Sequence, residues 1–480
     1  MKQPICEHIG LYTDFYEFTM SQAYYLTGKA DLSACFDYFF RQNPFGGGYV
    51  IFAGISDLLD LLADFTFSKE DCDYLQRIGL QKEFLDYLRT FRFRGTVYAA
   101  REGEVVFPGE PLVRIEGNII ETQLIETLLL NVLNFESLIA TKASRLRVVA
   151  GGRRVVDFGL RRAQGFGGVH ASRAAIIGGL DATSNLYAAK TNDLEVSGTQ
   201  AHSWIQSYDS ELTAFRKYAE IFPDRCFLLV DTYDTLRSGI PNAITVAKEL
   251  DARGHRLLGI RLDSGDLAYL SKRARTMLDQ AGLQYVKIVA SNQLDEYVIR
   301  SLLEQGAPID AFGVGTRLIT GQPSAALDGV YKLSMCDGKP RLKFSENFTK
   351  ITLPGVKKIH RFTESDGTFY ADAILLEEET KAEVIHHPLF PEKKSQVGER
   401  AAEPLMQRVM HKGEVQKTWS TAESAAYARE RLGKLSSEHL RFENPHTFKV
   451  GISDALLDLR NELMRLYVNN FHERKEREAG

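Results

Sequence analysis

Between residues 153 and 325 the chain repeats one phrase: a short β-rich apolar run, a polar or glycine-rich tip, then a helical stretch. The runs are "RRVVDFG", "LEVSGTQAH", "CFLLVDTYD", "RLLGIRLDSGD", "KIVASN" and "DAFGVGTRL". Most are followed by segments such as "PNAITVAKELDARG" or "LAYLSKRARTMLDQAG", whose apolar residues recur three and four apart. A strand followed by a helix, about six times over, predicts a parallel sheet covered by helices, because parallel neighbours need a crossover connection. A barrel and an open sheet meet this periodicity equally. In both, ligands bind beyond the carboxyl ends of the strands, and the unusual residues gather at that end.

The flanking segments follow other rhythms. "IFAGISDLLDLLADF" has helical spacing, and Ser68 three residues before Asp71 reads as a capping box. "FRGTVYAAREGEVVFPGEPLVRIEG" alternates in short runs broken by glycine, a small antiparallel sheet. "ETQLIETLLLNVLNFESLIATKASRLRVV" then predicts one long buried helix or two. After Gly329, "VYKLSMCDGKPRLKFS" reads as a hairpin turning at Asp337-Gly338. The remaining tail reads as charged and helical, with a second capping box at Ser420 and Glu423 and with Leu456, Leu459, Leu463 and Leu466 near one face. Three regions follow: an N-terminal α+β module over 1–130, an α/β catalytic domain over 131–330, and hairpin and helical segments over 331–480.

Composition narrows the class of partner. A formal net charge of -4 with 25% charged residues gives no general attraction to nucleic acid or an anionic membrane, so any bound anion must be held by local groups. The start "MKQPICEHIG" lacks the apolar core of a signal peptide, and no segment has the length of a membrane span, so a cytoplasmic protein is expected. Cys6, Cys35, Cys72, Cys226 and Cys336 are scattered and never form a C-x-x-C pair; they read as reduced packing residues.

The tips carry the chemistry. Phe158, Arg161 and Arg162 in "DFGLRRAQG" combine an aromatic face with guanidinium forks, a set that suits a flat anionic ring, although either arginine alone more commonly pairs with a nearby carboxylate. "GIRLDSGDL" sets Arg261, Asp263 and Asp266 around Ser264-Gly265; such carboxylates hold vicinal hydroxyls or hydrated Mg²⁺ while the arginine meets phosphate, and the same four residues also make a plain turn and helix cap. Gly313, Gly315 and Thr316 in "FGVGTRLITG" offer backbone N–H groups for an anion. "LLVDTYD" ends an apolar strand in Asp231 and Asp234, and His202, read as closing the preceding strand, is expected to face Asp231 as a nucleophile or acid-base group. "HH" at 386 and 387 has no metal-ligand spacing. Together the tips point to a sugar-phosphate enzyme with an activated histidine.

Taken in order, "LYTDFYEFTM", "DFGLRRAQG", "ASRAAIIGGLDATSN", "GTQAHSW", "LLVDTYDT", "GIRLDSGDL", "ASNQLDE", "FGVGTRLITG" and "RLKFSEN" closely resemble the nicotinate phosphoribosyltransferase family. The resemblance implies an α/β fold: an irregular, incomplete β/α barrel with a second α+β domain built from N-terminal and C-terminal segments. It implies that nicotinate is joined to phosphoribosyl pyrophosphate, with ATP as co-substrate and Mg²⁺ on the phosphates, in a homodimer whose active sites are shared. Carried onto this chain, Asp14 and Tyr16 come from the neighbouring subunit and Tyr16 stacks on the pyridine ring. Phe158 takes its other face, with Arg161 beside it. Arg261, Asp263, Ser264 and Gly265 match positions around the ribose and its phosphate, and Gly313, Gly315 and Thr316 the phosphate loop. His202 matches the histidine that ATP phosphorylates, and Asp231 its carboxylate partner.

Where the related nicotinamide enzyme carries an aspartate, "LDATSN" places Ser184; a hydroxyl donates to a carboxylate that an aspartate would repel, so the acid is the expected substrate. Quinolinate phosphoribosyltransferase is a rival within the fold class, but its doubly charged substrate calls for a denser basic pocket than these tips supply. A binding protein without turnover has no need of His202, and a barrel aldolase or isomerase wants a lysine or glutamate at a strand tip, and none stands out.

Overall fold

The computed structural model describes residues 7–344 and 351–479, with side chains as far as 467. Cys6 and the end of the "RLKFSEN" stretch lie outside the described residues. The chain divides into two compact units, one of residues 139–325 and one of 1–138 with 326–480.

The middle unit is built on six short strands: β1 Arg154–Asp157, β2 Ala182–Thr183, β3 Phe227–Leu229, β4 Gly259–Leu262, β5 Lys287–Ser291 and β6 Ala311–Val314. Their order in space is β2-β1-β6-β5-β4-β3, and every pairing is parallel. Val155, Val156, Leu228, Ile260, Leu262, Ile288, Phe312 and Val314 are buried, as strands covered on both faces by crossover helices require. Register brings the carboxyl ends level: Asp157 lies opposite Thr183 and Val314, Ser291 opposite Gly313, and Arg261 between Leu229 and Val289.

One expected strand is nearly absent. "LEVSGTQAH" is reduced to a single parallel bridge from Val196 to Thr183. His202 therefore does not close a strand; it opens the short helix His202–Gln206 after the extended residue Ala201. The cause is the brevity of β2, whose two residues offer no edge long enough to carry a further ladder.

The other unit is α+β. A seven-stranded antiparallel sheet runs, in space, through Lys339–Pro340, Gly329–Cys336, Ser33–Phe40, Val113–Asn118, Thr96–Ala100, Met406–His411 and Glu414–Val415. Phe52, Leu58, Leu62, Phe65, Phe84 and Leu129 belong to its core. Both capping boxes form, at Ser68 with Asp71 and at Ser420 with Glu423, and the hairpin turns at Asp337 and Gly338, both with positive φ. The long apolar stretch is two helices, Ile119–Leu124 and Glu126–Ala150, the second crossing the division between the units. No helix among the described residues is long and apolar enough to cross a membrane.

The expectation of a helical tail is corrected here. Residues 357–452 supply a second, six-stranded sheet, including Lys357–Thr363 and Phe369–Leu376, before the final helix. Its alternation is hidden because inward positions carry charge: Lys357 is buried on Asp37 at 2.8 Å, and Arg361 is buried between Glu104 at 2.6 Å and Asp372 at 2.5 Å. Buried charges persist only when paired in this way.

Candidate active site

The carboxylate-rich tips divide their labour. Asp234 accepts from the backbone N–H groups of Leu236 and Arg237, and Asp266 from that of Tyr269, so the second aspartate of each tip caps the helix that follows. The first aspartate of each is left for the site. Gly265, with φ of 76°, makes the tight turn between the two roles at β4.

Asp231 stands just beyond β3 with its side chain 1% exposed. Its Oδ2 accepts the backbone N–H of Asp263 at 2.8 Å and the hydroxyl of Ser264 at 2.6 Å. Its Oδ1 lies 3.3 Å from Nε2 of His202, whose ring is 40% exposed. A carboxylate only accepts, so Nε2 carries the proton and a neutral ring keeps its lone pair on Nδ1. This is an oriented, partly exposed imidazole.

Arg261 ties the next tips together. Its Nε donates to the Ser291 hydroxyl at 2.9 Å, Nη2 to Asp263 Oδ1 at 2.7 Å and Nη1 to the Thr199 hydroxyl at 3.1 Å. Ser291 in turn donates to Asp263 Oδ1. The guanidinium carbon sits 5.3 Å from the centre of the Phe158 ring, within cation–π range. That ring lies against Gly313: a Cβ there would fall 2.4 Å from Phe158 Cε2, so the strand needs glycine at this point.

Asp157, at the end of β1, is fully buried and organises two tips at once. Its Oδ1 accepts the N–H of Gly159 at 2.7 Å, and its Oδ2 the hydroxyls of Ser172 and Thr183, each at 2.8 Å. Burial drives its pKa up against those hydrogen bonds, which favour the ionised form. Its own carbonyl accepts from the N–H of Ser184 at 2.9 Å.

His202, Asp231, Asp263, Ser264, Arg261, Phe158 and Gly313 thus form one continuous chain of contacts. Arg161 on the turn Leu160–Arg162 and Ser184 beyond β2 are exposed at neighbouring tips. Gly315 precedes the short helix Thr316–Ile319 beyond β6, at the same end of the sheet. Asp14 and Tyr16 belong to the other unit: Asp14 precedes the helix Phe15–Leu26 and accepts from the Thr127 hydroxyl at 3.1 Å, and Tyr16 is 46% exposed. Sequence reasoning missed Thr199, Ser291 and Asp157. The last had a usable signal, an acid inside the apolar run "VVDFG"; a serine ending "KIVAS" and a threonine among small residues had none.

Comparison with known proteins places the whole chain in one family. The family model described as the nicotinate phosphoribosyltransferase family matches residues 153–380, its N-terminal domain model residues 11–134 and its C-terminal domain model residues 356–460. The chain is 42% identical to nicotinate phosphoribosyltransferase of Bacillus subtilis over 473 residues, covering 96% of each chain. It is 37% identical to that of Dictyostelium discoideum over 516 residues, covering 94% of this chain and 88% of the other. The crystal structure of human nicotinic acid phosphoribosyltransferase superposes with a TM-score of 0.84 at 33% identity, covering 94% of this chain and 99% of that one.

Proposed function

The chain belongs to the nicotinate phosphoribosyltransferase family, and from that premise we propose that it joins nicotinate to 5-phosphoribosyl 1-pyrophosphate, giving nicotinate mononucleotide and pyrophosphate, with ATP hydrolysis coupled through phosphohistidine 202. This places it in NAD salvage as an ATP-coupled, ligase-class enzyme of the cytoplasm. The observation that carries the reading is the shared carboxylate of Asp231, which holds His202 by one oxygen and the Asp263-Ser264 turn by the other.

In the transfer step the pyridine nitrogen lone pair forms the bond to the ribose C1 as the C1–O bond to pyrophosphate breaks and its electrons leave with pyrophosphate. The nitrogen needs no general base. Positive charge develops on the ribose, and the Asp263 carboxylate at the β4 tip favours it electrostatically. Arg261 meets the 5-phosphate as a fork already fixed by three hydrogen bonds. Ser264, Gly265, Gly313, Gly315 and Thr316 line the phosphate and ribose, with backbone N–H groups as donors. Among the described residues the Asp263 carboxylate is hydrogen-bonded through Oδ1 alone; its second carboxylate oxygen, with substrate oxygens, would suit a Mg²⁺ ion entering with the phosphates, which would help to neutralise the leaving group.

In the coupling step Nδ1 of His202 attacks the γ-phosphorus of ATP, the N–P bond forms and ADP departs. The ring, still protonated at Nε2, then carries positive charge that Asp231 stabilises. Hydrolysis of the phosphoramidate by water returns the histidine and releases phosphate. Because the same Asp231 holds the turn at Asp263, the state of His202 alters how tightly phosphoribosyl pyrophosphate is held.

Nicotinate stacks on Phe158, with Arg161 and Ser184 donating to its carboxylate. A homodimer completes this ring site through Tyr16 of the partner subunit, with Asp14 of the partner subunit beside it. The six parallel strands and the Val196 bridge are read as an incomplete barrel with its gap before β3. Incubation with ATP and Mg²⁺ tests the proposal: acid-labile phosphate mapping to His202 is expected, and its absence from the wild-type chain, or its persistence in His202→Ala, removes the coupling mechanism.

A further inference from the structure

The segment that carries His202 is held almost entirely by side chains. Its last ladder contact is at Ser197, whose N–H donates to the Thr183 carbonyl at 3.0 Å. Residues 198–201 have no regular structure, and β3 is an edge of the sheet, paired only with β4. The backbone ladder is therefore interrupted between Val196 and β3. Two side chains span the interruption: the Thr199 hydroxyl accepts from Arg261, and the Gln200 carboxamide donates from Nε2 to the carbonyl of Phe227, the first residue of β3, at 3.0 Å.

Gln200 is only 6% exposed, and its Oε1 is buried with no partner among the described residues. Leaving a buried carbonyl oxygen unpaired in this way costs stability. An apolar residue of the same length would occupy the space without that cost, so packing alone does not account for a carboxamide here. Ala201 between Gln200 and His202 is extended, with φ of -110° and ψ of 165°, and side chains two apart in extended chain leave on the same side. Both are directed to β3 and its end, Gln200 to Phe227 and His202 to Asp231.

We propose that Gln200 is a positioning residue for phosphorylation of His202, its carboxamide replacing the missing backbone ladder and setting the imidazole against Asp231. The proposal rests on the ATP-coupled reading above and adds to it a residue that touches neither substrate nor ATP. The His202 to Asp231 contact, at 3.3 Å, is at the long end of hydrogen bonding, so a small drift of the segment is enough to lose it.

The test compares full-length wild type, Gln200→Met and Gln200→Glu, each checked for thermal midpoint, with ATP labelled on its γ-phosphate. Methionine keeps the length and removes the donor. Acid-labile labelling of Gln200→Met is expected to slow about tenfold, the loss of one hydrogen bond's worth of orientation, while ATP-independent formation of nicotinate mononucleotide keeps its kcat and KM. Labelling at the wild-type rate overturns the proposal, as does an equal fall in ATP-independent turnover, which would mark a merely structural role. In Gln200→Glu a protonated carboxyl can donate to Phe227, so its labelling rate relative to wild type is expected to recover as pH is lowered; a ratio flat with pH overturns the proposal by a route independent of the methionine variant. An unlabelled wild-type chain overturns the coupling mechanism itself, a result separable from labelling that ignores position 200.

Discussion

At the scale of the residue, the site separates groups by what their second contacts allow. Asp231 accepts from three donors, and its replacement by asparagine offers an amide that can orient His202 but cannot stabilise charge on the phosphorylated ring. Asp231→Asn is expected to lower ATP-stimulated turnover about 100-fold, at the upper end of what loss of an orienting partner costs, with a smaller effect without ATP; steady-state rates with and without ATP check this. Gly313→Ala drives a methyl into the Phe158 ring, 2.4 Å from Cε2 in the present geometry, and is expected to raise KM for nicotinate more than for phosphoribosyl pyrophosphate. Ser184→Asp is expected to shift preference towards nicotinamide in competitive turnover, and unchanged selectivity removes Ser184 from the account. Asp231 and Asp263 were legible in the sequence as carboxylates at the end of apolar runs, and His202 as a lone imidazole among small residues, although it opens a helix and does not close a strand. Thr199, Gln200 and Ser291 were not, because small or neutral polar residues there look like ordinary loop and acquire meaning only from what they touch.

Elements decide which of two similar residues reaches the site. Asp263 and Asp266 are three apart in "DSGD", but the helix Leu267–Gln280 takes Asp266 as its cap and leaves Asp263 to Arg261. Asp266→Ala is expected to cost about 1 kcal/mol of stability with turnover largely retained, whereas Asp263→Ala is expected to abolish turnover; urea midpoints and initial rates on the same preparations distinguish them. The strand and helix rhythm of the middle unit was readable because strands buried on both faces are uninterrupted apolar runs. The second sheet of the other unit was not, since Lys357 and Arg361 fill inward positions and break the alternation by which a half-buried strand is recognised.

The whole molecule assembles its second unit from both ends of the chain, residues 1–138 and 326–480, a pairing that periodicity along the sequence does not encode. Burial there also sets a pH response. Glu17, next to Tyr16, is fully buried, accepts from Gln123 at 2.7 Å and from the Tyr16 hydroxyl, and has its pKa pushed up to about 7, chiefly by desolvation. A carboxyl whose folded pKa is raised contributes stability that is complete below its unfolded pKa and is lost as pH rises towards 7. Wild type is therefore expected to lose stability from this group between about pH 5 and 7, by on the order of 3 kcal/mol, and Glu17→Gln to flatten that slope in urea melts across the range. The measurement that bears most directly on function is product formation from phosphoribosyl pyrophosphate with nicotinate, nicotinamide and quinolinate side by side, with and without ATP. Nicotinate mononucleotide formed in preference to the other products, and faster with ATP, is the predicted result. Preference for nicotinamide or quinolinate, or a rate indifferent to ATP, would contradict the account.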